Sequence, residues 1–502
     1  MKRSCASCHG CMSGFTRRSL MATAAAPVAL KGALLKGDPE PVKPGRKPLV
    51  VQPVLVYQIS KRRPQTSWRP WGGLFTEVEV NEEKQRIGNE LAGMARTAGC
   101  PIEVLPLRTV TSMEEARKQG QGSHDVLLMY PASGSSQWVD ALAAGQNWTV
   151  VFVRHRSGPV YEYYEIVSPR FLRKTVDEWG EPKISTADVV VDSMDEVAVR
   201  MRGLYAVKNT MDRKVVCIGG ASGWGRGGRN SPQLAREIWR MDLPEVSYDD
   251  LKARLIKARA DDSLQKSARL QAADYLRQKN VKLETTRESV ENAFVLRDVF
   301  RNILAEHQAD SITVNHCMGA IMPISETTAC MTLSLLNDEG ALAFCESDFA
   351  VIPSGILLNA ISGIPVFLND PTYPHDQLIT LAHCTAPRKL DGKNAEPVRI
   401  LTHFESDYGA APKVEMKIGQ KVTNIIPDFN ARRWVGFTGE VAGNPFLPIC
   451  RSQIDVGFKC RTDRMAEQMR GFHWMTGYGD WSRELAYALK KAGIEWVDLD
   501  RA

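Results

Sequence analysis

From Pro48 to about Leu390 the chain alternates short apolar runs with segments whose apolar residues recur every three to four positions. The runs KPLVVQPVLVYQI, IEVLPL, DVLLMYP and WTVVFVRH form a first series of strands, with a helix over Glu82 to Ala98. A second series begins near ADVVVDS and runs through a helix, Met194–Asn209, the strand KVVCIGG and a long helical stretch, Tyr248–Gln308. It resumes with SITVNH, LAFCE and PVFLND. Strands separated by helical crossovers pair in parallel, because each helix must return the chain to the same end of the sheet. After Leu390 the pattern changes to period two with Gly and Asn turns, in VRILTHFES, KVEMKIGQKVTNIIP and RWVGFTGEVAG. That is the signature of antiparallel strands with one face buried. A last helix is expected over Trp481–Ala492. The expected fold is α/β: two parallel-sheet, Rossmann-like domains over 48–178 and 179–375, then a β-rich, largely antiparallel domain over 376–502.

The first thirty residues read as an address. Arg17-Arg18 precedes a short Ala-rich stretch and Pro27, the pattern of a twin-arginine export signal, which predicts a periplasmic protein. A Pro-rich linker follows over 31–47, with four prolines in GDPEPVKPGRKP. Cys5, Cys8, His9 and Cys11 match a haem-attachment or metal clasp, but they lie upstream of the arginine pair, in the part expected to be discarded. Net charge is +6, and removing Lys2, Arg3, Arg17 and Arg18 leaves +2, too little for a nucleic-acid footprint. No apolar run approaches the ~20 residues of a membrane-spanning helix. Eight further cysteines scatter from Cys100 to Cys460, several within apolar runs where they act as small core residues.

Chemistry concentrates in Ala341 to Asp370. A strand ending at Glu346, a helix opened by Pro353 and ended by Gly363, and a strand ending at Asp370 read as one βαβ unit. Two carboxylates at the same ends of neighbouring parallel strands can share one divalent cation. The competing reading is that both cap loops or pair with arginines. His473, between Phe472 and Trp474, and His383, in LITLAHCTAP, are each either a ligand or a satisfied core residue.

Glu346, Asp370 and His473 together resemble the L-fucose isomerase group of sugar isomerases, related in architecture to L-arabinose isomerase. The surroundings agree: CESDFAVIPSGILLNAISGIPVFLND, LAHCTAP, GQKVTNI, GFHWMTGYGDWSREL and the early SWRPWGG loop. The resemblance spans roughly Pro48 to Trp496, and its specific part is the triad. It implies that the triad holds Mn2+ or another divalent cation. It also implies that Glu346 and Asp370 share ligation with acid–base work, and that the protein is a homo-oligomeric aldose–ketose isomerase acting on a small sugar.

Other segments are expected to contact substrate. His383 and Asn315, at the end of SITVNH, can line the same cleft, and so can Trp224 in GGASGWGRGG. Trp68 and Arg69, in RRPQTSWRPWGG, are expected to reach a neighbouring subunit's cleft. GWGRGG also fits a dinucleotide fingerprint, but Ser231-Pro232 places the helix start after the glycines, whereas a dinucleotide site needs the helix to open at them. A non-catalytic, exported carbohydrate-binding protein is the alternative on the same fold.

Overall fold

The computed structural model describes residues 45–180 and 184–501. The leader, most of the linker and the Cys5–Cys11 cluster lie outside them.

The architecture is mixed α/β with parallel sheets and a C-terminal antiparallel sheet. In the first sheet, Leu49–Val56 lies between Ile102–Val104 and Val126–Pro131, followed by Trp148–Val153 and Val189–Val191, all parallel. Arg108–Val110 pairs with the far half of Leu49–Val56. Seven of the eight residues in Leu49–Val56 are buried, which is why this strand reads as a continuous apolar run. Val189–Val191 was expected to open the second series, but it closes the first sheet instead, so that sheet extends past residue 178.

The second parallel sheet runs Leu342–Phe344, Ser311–Val314, Val215–Ile218, Glu245–Val246. The long helical stretch between Glu245–Val246 and Ser311–Val314 is three helices, Tyr248–Ala260, Asp262–Leu276 and Arg287–Glu306. Asp261 causes the first break: its carboxylate accepts from the Ser263 and Leu264 amides and starts a new helix. Between the second and third helices, Val281–Leu283 joins Val398–His403 and Tyr408–Val414 in a small separate sheet.

The expected βαβ unit around Pro353 does not form. Leu342–Phe344 belongs to the second parallel sheet, but Phe367–Pro371 pairs antiparallel with Trp474–Tyr478 and Leu378–His383. Those strands, with Ser452–Gly457, Arg433–Gly443 and Lys421–Ile426, close into a ring of six antiparallel strands. The barrel therefore begins before residue 376. The helix Ile352–Ser362 explains the crossing. Ten of its eleven residues are buried, and an all-round apolar helix must be covered on every side. A Cβ at Gly355 would strike both Phe344 of the parallel sheet and Met475 of the barrel, so the helix is wedged between them. Gly363 ends it in the left-handed conformation, at φ +76°. At the C-terminus, the expected closing helix, observed as Ser482–Lys491, is followed by a further strand, Glu495–Asp498, parallel to Arg433–Gly443.

Candidate metal centre

A cavity of about 560 Å³ opens where the ends of the second parallel sheet face the barrel. Glu346 enters it from just beyond Leu342–Phe344 and Asp370 from Phe367–Pro371, while His473, immediately before Trp474–Tyr478, is buried behind them against both carboxylates. The two carboxylates thus reach one point from different sheets. His473 Nε2 lies 3.3 Å from Glu346 Oε2 and 3.3 Å from Asp370 Oδ1. Neither contact is aligned as a hydrogen bond, and both His473 Nε2 and Asp370 Oδ1 are buried without a hydrogen-bond partner. Bonds of roughly 2.1–2.4 Å to a hard cation place neighbouring ligands roughly 3.0–3.4 Å apart in an octahedron. The observed spacing fits that geometry. His383 belongs to the same group: its ligand nitrogen, Asp370 oxygen and His473 nitrogen lie within 4.8 Å of one another, and its Nε2 is 4.0 Å from Glu346 Oε1.

Asp348, which sequence reasoning did not single out, orients the histidine. Its Oδ2 is 2.7 Å from His473 Nδ1, and both side chains are buried. Accepting that proton fixes the tautomer in which Nε2 offers a lone pair, the usual support for a metal-bound imidazole. Its other oxygen accepts from the amides of Ala350 and Trp224. Glu346 and Ser347 both have left-handed backbones, φ 62° and 47°, costing roughly 1–2 kcal/mol each for residues with a Cβ. The turn is held by Ser347 N donating to Thr313 Oγ1 and by a backbone bridge between Ser222 and Asp348.

That bridge brings in the glycine-rich loop. Gly223 and Gly228 pack so closely that a Cβ on Gly223 would lie 2.0 Å from the Gly228 carbonyl oxygen. The loop thereby folds back and presents Trp224, 44% exposed, stacked on Phe472 at 3.7 Å between ring centroids. The α-helix starts at Ser231, after a 3-10 turn over Gly227–Asn230 and well after the strand ends at Ile218, so Gly223 and Gly225 form a cavity wall rather than a helix N-terminus. Asn315 also lines the cavity and donates to the Gly219 carbonyl. Trp68 and Arg69 do not line it; the Arg69 guanidinium sits over the Trp68 and Phe75 rings instead.

The electrostatics follow from crowding three acids and two imidazoles. Burial opposes a charged His473, but Asp348, Glu346 and Asp370 outweigh it and push its pKa up to about 10. Burial raises Asp370 to about 7, with His473 opposing and Glu346 adding to the shift. Glu346 is also desolvated, yet His473 and His383 hold it below its ordinary value. Burial pushes His383 down to about 4, leaving a neutral imidazole.

Sequence reasoning also missed His403, Glu405 and a set of cavity-lining thiols. Cys345, expected to be core, is buried as expected, but its Sγ lies 3.8 Å from Cys317 Sγ at the cavity. Only Cys317 and Cys345 had a local signal, just beyond the parallel strands Ser311–Val314 and Leu342–Phe344, where a parallel sheet collects function. No protein-family model matches the chain, and no curated protein matches it. Among the described residues, no helix is long and apolar enough to cross a membrane.

Proposed function

We propose that the protein is a metal-dependent aldose–ketose isomerase of the fucose/arabinose isomerase type. The observation that carries this reading is the convergence of Glu346, Asp370 and the Asp348-anchored His473, with two buried ligand atoms left unpaired. Two hard oxygens and an imidazole suit manganese or a similar divalent ion. Held by these residues, such a cation would supply Lewis acidity to the sugar's carbonyl.

The residues do the rest. Moving a carbonyl from C1 to C2 needs a proton taken from C2 and returned to C1, with the O2 hydroxyl proton passing in the same direction to O1. Glu346, held below its ordinary pKa, is suited to accept a proton, and Asp370, raised to about 7, is suited to donate one. Asp348 keeps the proton of His473 on Nδ1. Trp224 offers a flat face to the sugar's C–H surface, and Asn315 and His383 line the same space. The cavity's volume suits a monosaccharide.

The same reading makes the protein an exported homo-oligomer whose Trp68–Arg69 loop completes a neighbour's site. Arg17→Lys with Arg18→Lys should then retain the precursor inside the cell. To test the activity, chelator-stripped protein reloaded with Mn2+ is offered deoxyhexoses and pentoses in D2O. Ketose formation with deuterium entering at C1 or C2 is expected. Metal-dependent sugar binding without deuterium entry would leave only the carbohydrate-binding alternative.

A further inference from the structure

A second donor set lies in the same cavity and is chemically unlike the first. Cys330 stands in the first turn of the helix Ala329–Asp338, Cys384 follows the strand Leu378–His383, His403 ends Val398–His403, and Cys450 precedes Ser452–Gly457. The ligand atoms of Cys330, Cys384 and His403 lie within 4.8 Å of one another, and all three residues are buried. Cys450 packs with Cys330 and Cys384 in a cluster of their own, separate from the main apolar core. All four residues line the cavity.

We propose that Cys330, Cys384, Cys450 and His403 form a thiolate-rich metal site of the kind that takes Zn2+. Three sulfurs and one imidazole nitrogen make a closed tetrahedral set, in which bonds of roughly 2.0–2.3 Å put ligands roughly 3.4–3.8 Å apart. Cys330, Cys384 and His403 already approach that spacing, and Cys450 packs beside the two cysteines as the fourth donor. Two further contacts are those of a ligand shell. The Arg451 amide donates to Cys384 Sγ at 3.4 Å, which stabilises charge on sulfur. His403 Nδ1 meets Ser406 Oγ at 3.1 Å, so Nε2 is the nitrogen left for a metal. Cys330 lies where the helix dipole favours negative charge. On binding, each thiol releases its proton to solvent and no oxidation state changes. The ion would tie a helix of the parallel-sheet half to three segments packed at the barrel. The inference does not depend on the isomerase reading, since soft sulfur donors and the hard Glu/Asp/His set select different ions.

Metal analysis of the full-length protein, dialysed without chelator, should find about one zinc per chain, against at least a roughly ten-fold loss in Cys384→Ser. Glu346→Ala should keep its zinc. Replacing zinc with Co2+ in the unmodified protein should give a thiolate-to-cobalt charge-transfer absorption, a readout that needs no variant to fold. A cobalt spectrum without that band, zinc unchanged in Cys384→Ser, or a metal-free protein with a Cys330–Cys384 disulfide would each overturn the proposal.

Discussion

Two buried ionic clusters in this chain are built to different ends. Beside the first sheet, Glu83 accepts from Arg154 Nε and the Tyr161 hydroxyl at 2.5 Å each, while its second oxygen meets Arg86. Arg154 completes itself with a two-pronged pair to Glu90 and a bond to Ser157 Oγ. Each charge there is answered by the protein. At the cavity, Asp370 Oδ1 and His473 Nε2 are buried 3.3 Å apart, and neither has a hydrogen-bond partner. A buried polar atom without a hydrogen bond is costly, and a ligand bound between these two would relieve that cost. A closed cluster holds the fold, and an open one waits for a guest.

The difference can be broken from either side. Glu346→Ala or Asp370→Ala should lower kcat/KM for the proposed isomerisation by roughly 10³-fold or more, measured with metal-reloaded protein, while circular dichroism stays native. Glu83→Ala should do the reverse. It strands the Arg154 guanidinium and should cost about 3–5 kcal/mol in urea unfolding, with the folded fraction still binding Mn2+. Asp348→Asn tests the support of the open cluster: Mn2+ affinity by calorimetry should fall roughly 10–100-fold.

A pH series sharpens the contrast further. His473 in the metal-free protein has its pKa raised from the ordinary value to about 10, so its stabilising contribution is present below about 6.5 and lost as pH rises toward 10. Thermal unfolding of metal-free protein should therefore weaken between about pH 7 and 10. Metal-loaded protein, with the proton already displaced from Nε2, should lack that slope. The smallest effect is expected from Trp224→Ala, which should raise KM several-fold, for a stacking contribution of about 0.5–1.5 kcal/mol, and leave kcat nearly unchanged.

Glu346 and Asp370 were legible because each sits at the end of a short apolar run, whereas His473 joined them only through the resemblance to the sugar isomerases. The route joining them was not. PVFLND carries the same compact apolar pattern whether its neighbours are parallel or antiparallel, so periodicity alone could not tell a βαβ strand from a barrel strand. What decided it was the helix Ile352–Ser362, apolar on all sides and needing cover from both halves. The break at Asp261 was hidden because the apolar spacing continues on both sides of a capping residue. Asp348 and the Cys330–Cys384–Cys450–His403 set were invisible for another reason: their partners are distant in sequence, and no local pattern records a contact made across the cavity.

The wedged helix has a consequence for how the protein matures. It carries Glu346 ahead of its first turn and Asp370 beyond its last, so the two acids meet only when that rod is clasped on both sides. A chain whose halves have collapsed separately has all its secondary structure and no place to hold a cation. On the proposed reading, a bound metal would report that the two halves have docked.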